Sequence, residues 1–525
     1  MSGDFAVVLP LVCLAGGAFT VYLVARLVAL LSRGRAVGVA NPLLAALTAL
    51  VLAAALGAWG VLVARTPWVA EVTPELATLL PVWGYDRPLG VALRAEPGAL
   101  VISGIALGLG LLVAIYSGRY LALDRRHETY YPLLLLLVAG LMGMVLTGDL
   151  FNLYMCCELM SLAGYALVGF RRRSAAAVEA GFKYLIMGSV GTIVMLMGIA
   201  LLFRSRGHLA LPAVAAFPSR EPAGPWARLG LACVMVGLAV KTAIVPLHTW
   251  LPDAHGRAPS SISAMLSGIV IQSTLYAGLK VSLGLGFPAR SLGWVLVWLS
   301  MANMMLGNGM ALVQQSAKRL LAYSTVAQMG YVMLSIGIGL RWKSQAAIQV
   351  GFLLLLAHAV MKGLAFLCKG ACTFDAGKRR RELDTIDDLR GTFKRQPLVG
   401  LAFALALAGL VGIPPLAGFS AKWFLLLQAL RTASAGTPGT PGPALIYVGI
   451  VVFGFNTVTA LGYLLPLIAA ILGPAFTLSN VAVRRVRTAA WMALPVVILA
   501  LLVIAVGVYP GPWLDWMAAA AGYLL

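Results

Sequence analysis

Acidic residues are scarce in this chain of 525: 18 Asp and Glu stand against 39 Lys and Arg, and all charged residues together make up only 11% of it. A water-soluble domain is about one-quarter charged, so the chain has no room for a soluble domain of useful size. Phosphate-cradling GxxxxGK[ST] loops and dinucleotide fingerprints are absent, as is any visible nucleophile–base–oxyanion arrangement. Chemistry of the chain's own on a small substrate is therefore not expected. Histidine occurs five times and cysteine six times. Cys13, Cys156, Cys157, Cys233, Cys368 and Cys372 all fall in apolar runs, without the spacing that zinc or an iron–sulfur cluster needs. They read as small hydrophobes, and neither a metal nor a cofactor is expected. The first apolar run has no cationic leader ahead of it, so a removable signal peptide is not expected either.

What is present is hydrocarbon. Hydrophobic residues make up 61% of the chain, and apolar runs near the roughly 20-residue length of a membrane-spanning helix recur from end to end. They lie near 5–31, 43–64, 98–117, 132–148, 150–170, 178–203, 228–247, 260–283, 291–312, 320–340, 347–370, 397–430, 444–475 and 490–509. The reading is an all-α polytopic membrane protein with about 14 spans. The run 397–430 is too long for one straight span and contains GIPP, which predicts a broken helix.

A net charge of +21 raises nucleic acid as a partner, but the basic residues are distributed as a topology signal. Alternate loops carry about 22 Lys and Arg on one side against about 11 on the other, the asymmetry of a positive-inside protein. Both termini are then expected on the outer side of a plasma membrane, the basic face meets anionic lipid, and nucleic acid is not an expected partner. The mixed-charge stretch Lys369 to Pro397 suits an amphipathic helix lying on the membrane surface or a partner.

Topology also predicts a repeat. Spans 4–8 (132–283) and 9–13 (291–475) form two five-helix units, and an odd helix count places them in opposite orientations. Residues 1–117 supply three preceding helices and 490–525 a final one. Each unit holds one proline-interrupted helix with a lysine, Lys241 with Pro246 and Lys422 after Pro414 and Pro415.

Charge inside the membrane is expensive and marks function. Arg26, Lys183 and Lys280 lie toward span ends and are expected to snorkel; Lys241, Lys362 and Lys422 are deeper. Among the acids, Glu158 alone is near a span centre. His358 precedes Lys362 by four residues, which puts both on one helical face, and His248 lies closer to the interface. One carboxylate, three deep lysines and one or two histidines on four helices are the equipment of a proton relay. Burial favours neutral forms and an ion pair charged ones, so an opening Glu158–Lys241 pair would turn the lysine from proton holder to donor.

The stretches TGDLFNLYMCCELMSLAGY, AVKTAIVPLHTWLPDAH, APSSISAMLSGIVIQ, HAVMKGLAFLCKG and GIPPLAGFSAKW, in this order, resemble the successive signatures of the antiporter-like subunits. These occur in respiratory complex I, Mrp-type cation/proton antiporters and membrane-bound hydrogenases. The resemblance runs from roughly 100 to 430 and implies 14 helices, two inverted five-helix units and broken seventh and twelfth helices. It implies a relay of Glu158 paired with Lys241, then His358, Lys362 and Lys422. Beside it, the residues themselves offer His248, Gln272 and Lys183 as candidate relay or water-holding groups. The implied partners are other membrane subunits, with protons as cargo and sodium as the alternative coupling ion. One position departs from the family pattern: Gln272 stands where helix 8 commonly carries a lysine, and glutamine stores no proton. Three readings are open: a proton-translocating subunit of a redox-driven complex, a sodium/proton antiporter core, or a scaffold that has lost transport.

Overall fold

In hydrocarbon a segment must satisfy its own backbone hydrogen bonds, and the leucine-, alanine- and valine-rich runs do so as helices. The computed structural model describes residues 5–31, 37–66, 80–82, 91–122, 124, 126–211, 224–375, 384–434, 441–474 and 488–525. In chain order the helices are α1 (Phe5–Leu31), α2 (Val37–Arg65), α3 (Pro97–Tyr120), α4 (His127–Leu146), α5 (Leu150–Val168) and α6 (Ala175–Arg206). Next come α7 (Gly224–Thr242), α8 (Trp250–Arg257), α9 (Ser260–Gly284), α10 (Ala289–Leu312), α11 (Ala317–Trp342) and α12 (Gln345–Asp375). The last are α13 (Pro397–Val411), α14 (Ala417–Ser434), α15 (Pro441–Leu472), α16 (Ala490–Val508) and α17 (Gly511–Tyr523). Thirteen of the described helices are long and apolar enough to cross a membrane, and α13 with α14 adds a fourteenth in two pieces. A short antiparallel pairing of Leu80–Val82 with Val91–Leu93 is the only strand pair among the described residues.

α9 and α12 are buried on every side at the centre of the bundle, their polar side chains included. α12 packs against α3, α9, α11, α13, α14, α16 and α17. α6 and α7 approach closely because glycines face each other: a Cβ on Gly198 would meet the Gly230 carbonyl oxygen at 2.5 Å. Small residues of this kind let membrane helices pack backbone to backbone.

Both expected breaks are present. α7 stops at Thr242, the next residue, Ala243, has φ 55°, and the chain resumes as α8 at Trp250. The groups this frees are recaptured: Val245 N–H donates to Asn303 Oδ1 (2.9 Å), and the Trp250 indole N–H donates to the Val240 carbonyl (2.7 Å). α13 stops at Val411, Gly412 follows with φ 99°, and α14 begins at Ala417. A third irregularity lies in α9, where Ile271 N–H reaches back five residues to the Leu266 carbonyl, a π-turn over Leu266–Val270.

Two expectations change. Residues 490–525 form two helices rather than one, because Pro510 has no N–H to donate and disfavours helical geometry at Tyr509. The stretch expected as a surface helix is divided: Lys369–Asp375 completes α12, and 384–395 holds only the short turns Asp387–Leu389 and Thr392–Arg395. Residues 376–383 lie outside the described residues.

Candidate functional site

α5 places Glu158, Ser161 and Tyr165 at spacings of three and four, so they share a face. Lys241, in the last turn of α7, is buried against that face. Its Nζ donates to Ser161 Oγ (2.8 Å) and the Tyr165 hydroxyl (2.6 Å), and lies 5.1 Å from the Tyr165 ring centre. The expected Glu158–Lys241 ion pair is not formed among the described residues; Lys241 is held by two hydroxyls instead. Glu158 Oε1 is buried without a hydrogen-bond partner, one turn of helix from Ser161.

Beside Lys241, Thr242 Oγ1 donates to Thr274 Oγ1 (3.1 Å) and so ties α7 to α9. Two residues before Thr274, Gln272 is fully buried, and neither end of its amide has a partner. Further back, in the π-turn, the Ser267 carbonyl accepts from His358 Nε2 (3.2 Å), and Ser267 Oγ shares a proton with Thr325 Oγ1 (2.7 Å). One turn beyond His358, Lys362 is 0% exposed and donates to the Leu321 carbonyl (2.7 Å) and Ser324 Oγ (2.9 Å).

α11 then carries a second polar stripe of Ser324, Gln328 and Tyr331. Gln328 Nε2 donates to the Leu410 carbonyl (3.1 Å), and Lys422 Nζ donates to that same oxygen (3.0 Å) and to the Val411 carbonyl (2.9 Å). Lys422 thus caps the carbonyl end of α13, where the helix dipole favours a cation, with the Tyr331 ring centre 4.7 Å away. Lys241, His358, Lys362 and Lys422 are thus all buried in the bundle, and hydrogen bonds link His358 to Lys362 through Ser267, Thr325 and the Leu321 carbonyl.

Two residues singled out in the sequence lie apart from this row. Lys183 has a side chain 52% exposed and pairs with Glu179 (2.8 Å) and Asp253 (3.4 Å), while Arg319 also engages Asp253. His248 sits in the first break, half-buried, 6.2 Å from the Tyr323 ring, with Nδ1 unpartnered. Lys280 does not snorkel. It is 3% exposed and pairs with Glu96 (3.2 Å), which also accepts from Tyr276 (3.3 Å) and Tyr523 (2.8 Å). Glu96 precedes a proline at the head of α3, where an acid reads as a helix-start residue, and only the tertiary fold brings it to α9. His255 is also fully buried, stacked on Phe366 at 5.0 Å, with both ring nitrogens unpartnered. Lys318, a loop residue by sequence, is buried and donates to the Ala258 carbonyl (2.6 Å).

Comparison with known proteins agrees with the fold and the motif order. Residues 147–436 match the family model described as NADH:quinone oxidoreductase/Mrp antiporter, TM. NADH-quinone oxidoreductase subunit N of Desulforudis audaxviator is 35% identical over 363 residues, 67% of this chain and 69% of that protein. A chain of the Mrp complex from Dietzia sp. DQ12-45-1b superposes with a TM-score of 0.78 at 25% identity, covering 98% of this chain and 97% of the other. A chain of an archaeal membrane-bound sulfane sulfur reductase shares the fold at a TM-score of 0.77 and 24% identity, over 98% of both chains. Fold and motifs together define an antiporter-like, multi-pass membrane subunit. The chain belongs to the NADH:quinone oxidoreductase/Mrp antiporter family.

Proposed function

We propose that this chain is a proton-conducting membrane subunit of a multisubunit, redox-driven complex in a plasma membrane, with both termini outward. Protons move along Glu158, Lys241, His358, Lys362 and Lys422, and the two units 132–283 and 291–475 act as inverted halves. One observation carries the reading: Lys241, His358, Lys362 and Lys422 are all buried, two of them at the broken helices, and each is held by hydroxyls or backbone carbonyls. Lysine and glutamate at membrane depth are costly unless they are used. Ser161 and Tyr165 serve as the link between Glu158 and Lys241. Ser324 and Gln328 serve the same purpose between Lys362 and Lys422. Gln272 holds water and passes hydrogen bonds at the centre without storing a proton. His248 and His255 flank the first break as water-holding groups, and Lys183 closes a surface ion-pair cluster instead of carrying protons.

The relatives' names support an oxidoreductase host with other membrane subunits as partners. The likeness to an Mrp complex chain favours sodium/proton exchange as the second reading. The test is proton uptake by inverted vesicles holding the intact complex, supplied with NADH and other low-potential donors, with and without sodium. Wild type is expected to take up protons with donor alone, and Lys241→Ala to lose at least about tenfold of that rate, equivalent to about 1.4 kcal/mol. Uptake that requires a sodium gradient selects the second reading. Normal uptake by Lys241→Ala leaves the chain as a scaffold.

A further inference from the structure

A cavity of about 420 Å³ opens between α1, α4 and α5 at the basic end of the bundle. Its rim carries Tyr22, Arg126, Thr129 and Arg172, and its wall is apolar, with Leu133 and Phe170 among the lining residues. The two arginines are exposed and have no ion-pair partner among the described residues. Their neighbours differ: Arg171 is held by Asp124 (3.2 Å), and Arg319 by Asp253. Tyr22 accepts from Arg26 Nε (3.0 Å), so its own hydroxyl proton is free, and Arg26 adds a third positive charge beside the mouth. Thr129 spends its hydroxyl proton on the Arg126 carbonyl (3.2 Å) and keeps its lone pairs. Glu128, next to Thr129, is the nearby acid; it does not line the cavity.

Guanidinium groups converging on one hollow without a carboxylate repel each other until an anion joins them. Arginine forks match phosphate oxygens bidentately. Basic pockets between spanning helices, at the face where basic loops gather, fit anionic lipid headgroups. The rest of the lining is apolar, with Pro132, Leu133, Ala166 and Phe170, which suits a glycerol backbone and acyl chain and does not suit a small free anion. We propose that this cavity binds the headgroup of a phospholipid with net negative charge, its phosphate between Arg126 and Arg172 and the Tyr22 hydroxyl donating to it. The lipid bridges α1 to α5, whose residue Ala166 lines the cavity next to Tyr165, the acceptor of Lys241. This site does not depend on proton conduction, and its test reads lipid rather than transport.

The intact complex is purified in mild detergent and its retained phospholipids are quantified, for wild type, the double variant Arg126→Gln/Arg172→Gln, and Arg173→Gln as a neighbouring control. Wild type and the control should retain anionic phospholipid, and the double variant should lose about 30-fold in headgroup affinity, equivalent to about 2 kcal/mol for two basic residues. Equal retention by all three overturns the proposal. A photoreactive phosphatidylglycerol in nanodiscs should label wild type within 126–133 or 169–172, and a phosphatidylcholine probe should not; this measurement stands even if the double variant fails to assemble. Absence of label there, or cross-linking of that segment to a partner subunit instead, overturns the lipid assignment. So does protection of wild type by inorganic phosphate equal to that given by phosphatidylglycerol.

Discussion

The two broken helices solve one problem in opposite ways. At each break a half-helix ends in unpaired carbonyls next to a residue of positive φ, Ala243 or Gly412. At the first break the cap is supplied by other residues, since the Trp250 indole takes the Val240 carbonyl and Asn303 takes the freed Val245 N–H. Lys241 is therefore released from its own helix end and reaches α5, where two side-chain hydroxyls hold it. At the second break the lysine is itself the cap, and Lys422 is held by the carbonyls of Leu410 and Val411. The difference arises from chain order: Lys241 precedes its proline, and Lys422 comes after its pair. One ammonium depends on groups that a substitution can delete, and the other on backbone that no substitution removes.

Replacing either lysine should have the largest effect and expose this asymmetry. Lys241→Met and Lys422→Met should each cut proton uptake by about 100-fold, roughly 2.7 kcal/mol of lost transition-state stabilisation. Lys422→Met should also destabilise the subunit by about 1–3 kcal/mol, because the buried Val411 carbonyl loses its donor and the Leu410 carbonyl keeps only Gln328. Thermal unfolding of the purified complex checks this, and equal losses in the two variants would remove the distinction between cap and relay. Next in size is the tyrosine pair. Tyr165→Phe removes a hydrogen bond to a charged group, worth about 1.5–3 kcal/mol, and should slow uptake about tenfold or more. Tyr331→Phe keeps the ring over Lys422 and should stay within about twofold of wild type. A matching loss in both would mean that the Tyr331 hydroxyl works as the Tyr165 hydroxyl does.

Trp250→Phe should act less strongly, costing about 1 kcal/mol, since the Val240 carbonyl then keeps only the Ala243 N–H. It should lower uptake a few-fold, because Lys241 is then drawn back toward its own helix end. Unchanged stability and unchanged uptake would show that the first break needs no indole cap. The smallest effect is expected from Gln272→Lys, within about twofold of wild type in uptake rate, since the amide already occupies the lysine's place in the row.

Charge in an apolar run is conspicuous, which is why the spans, both breaks and Lys241, Lys362, Lys422 and His358 are legible in the sequence. The groups that hold them are not. Ser161, Tyr165, Ser324 and Gln328 are ordinary in a membrane helix, and a sequence does not say which carbonyl or ammonium each will meet. Glu96 and Lys280 lie far apart in the chain, and each alone reads as an end-of-span residue. The Glu158–Lys241 pair is suggested by residue type and motif; in the structure Lys241 is held by hydroxyls instead, because α5 offers them on the face that Lys241 reaches. Trp250 looks like an interfacial aromatic until the backbone break gives its N–H a carbonyl to fill.

The π-turn in α9 also sets rotational phase. It seats one residue more than an α-helix would, so the downstream half of α9 is turned by about 100° relative to an unbroken helix. Gln272, Tyr276 and Lys280 all lie in that half, and together they aim at the centre and at Glu96. Deleting Gly268 would leave each side chain chemically intact and swing all three off their bearings at once. A single-residue gap in this segment is thus equivalent to rotating a shaft, and its consequences for the centre outweigh those of a long insertion in any loop.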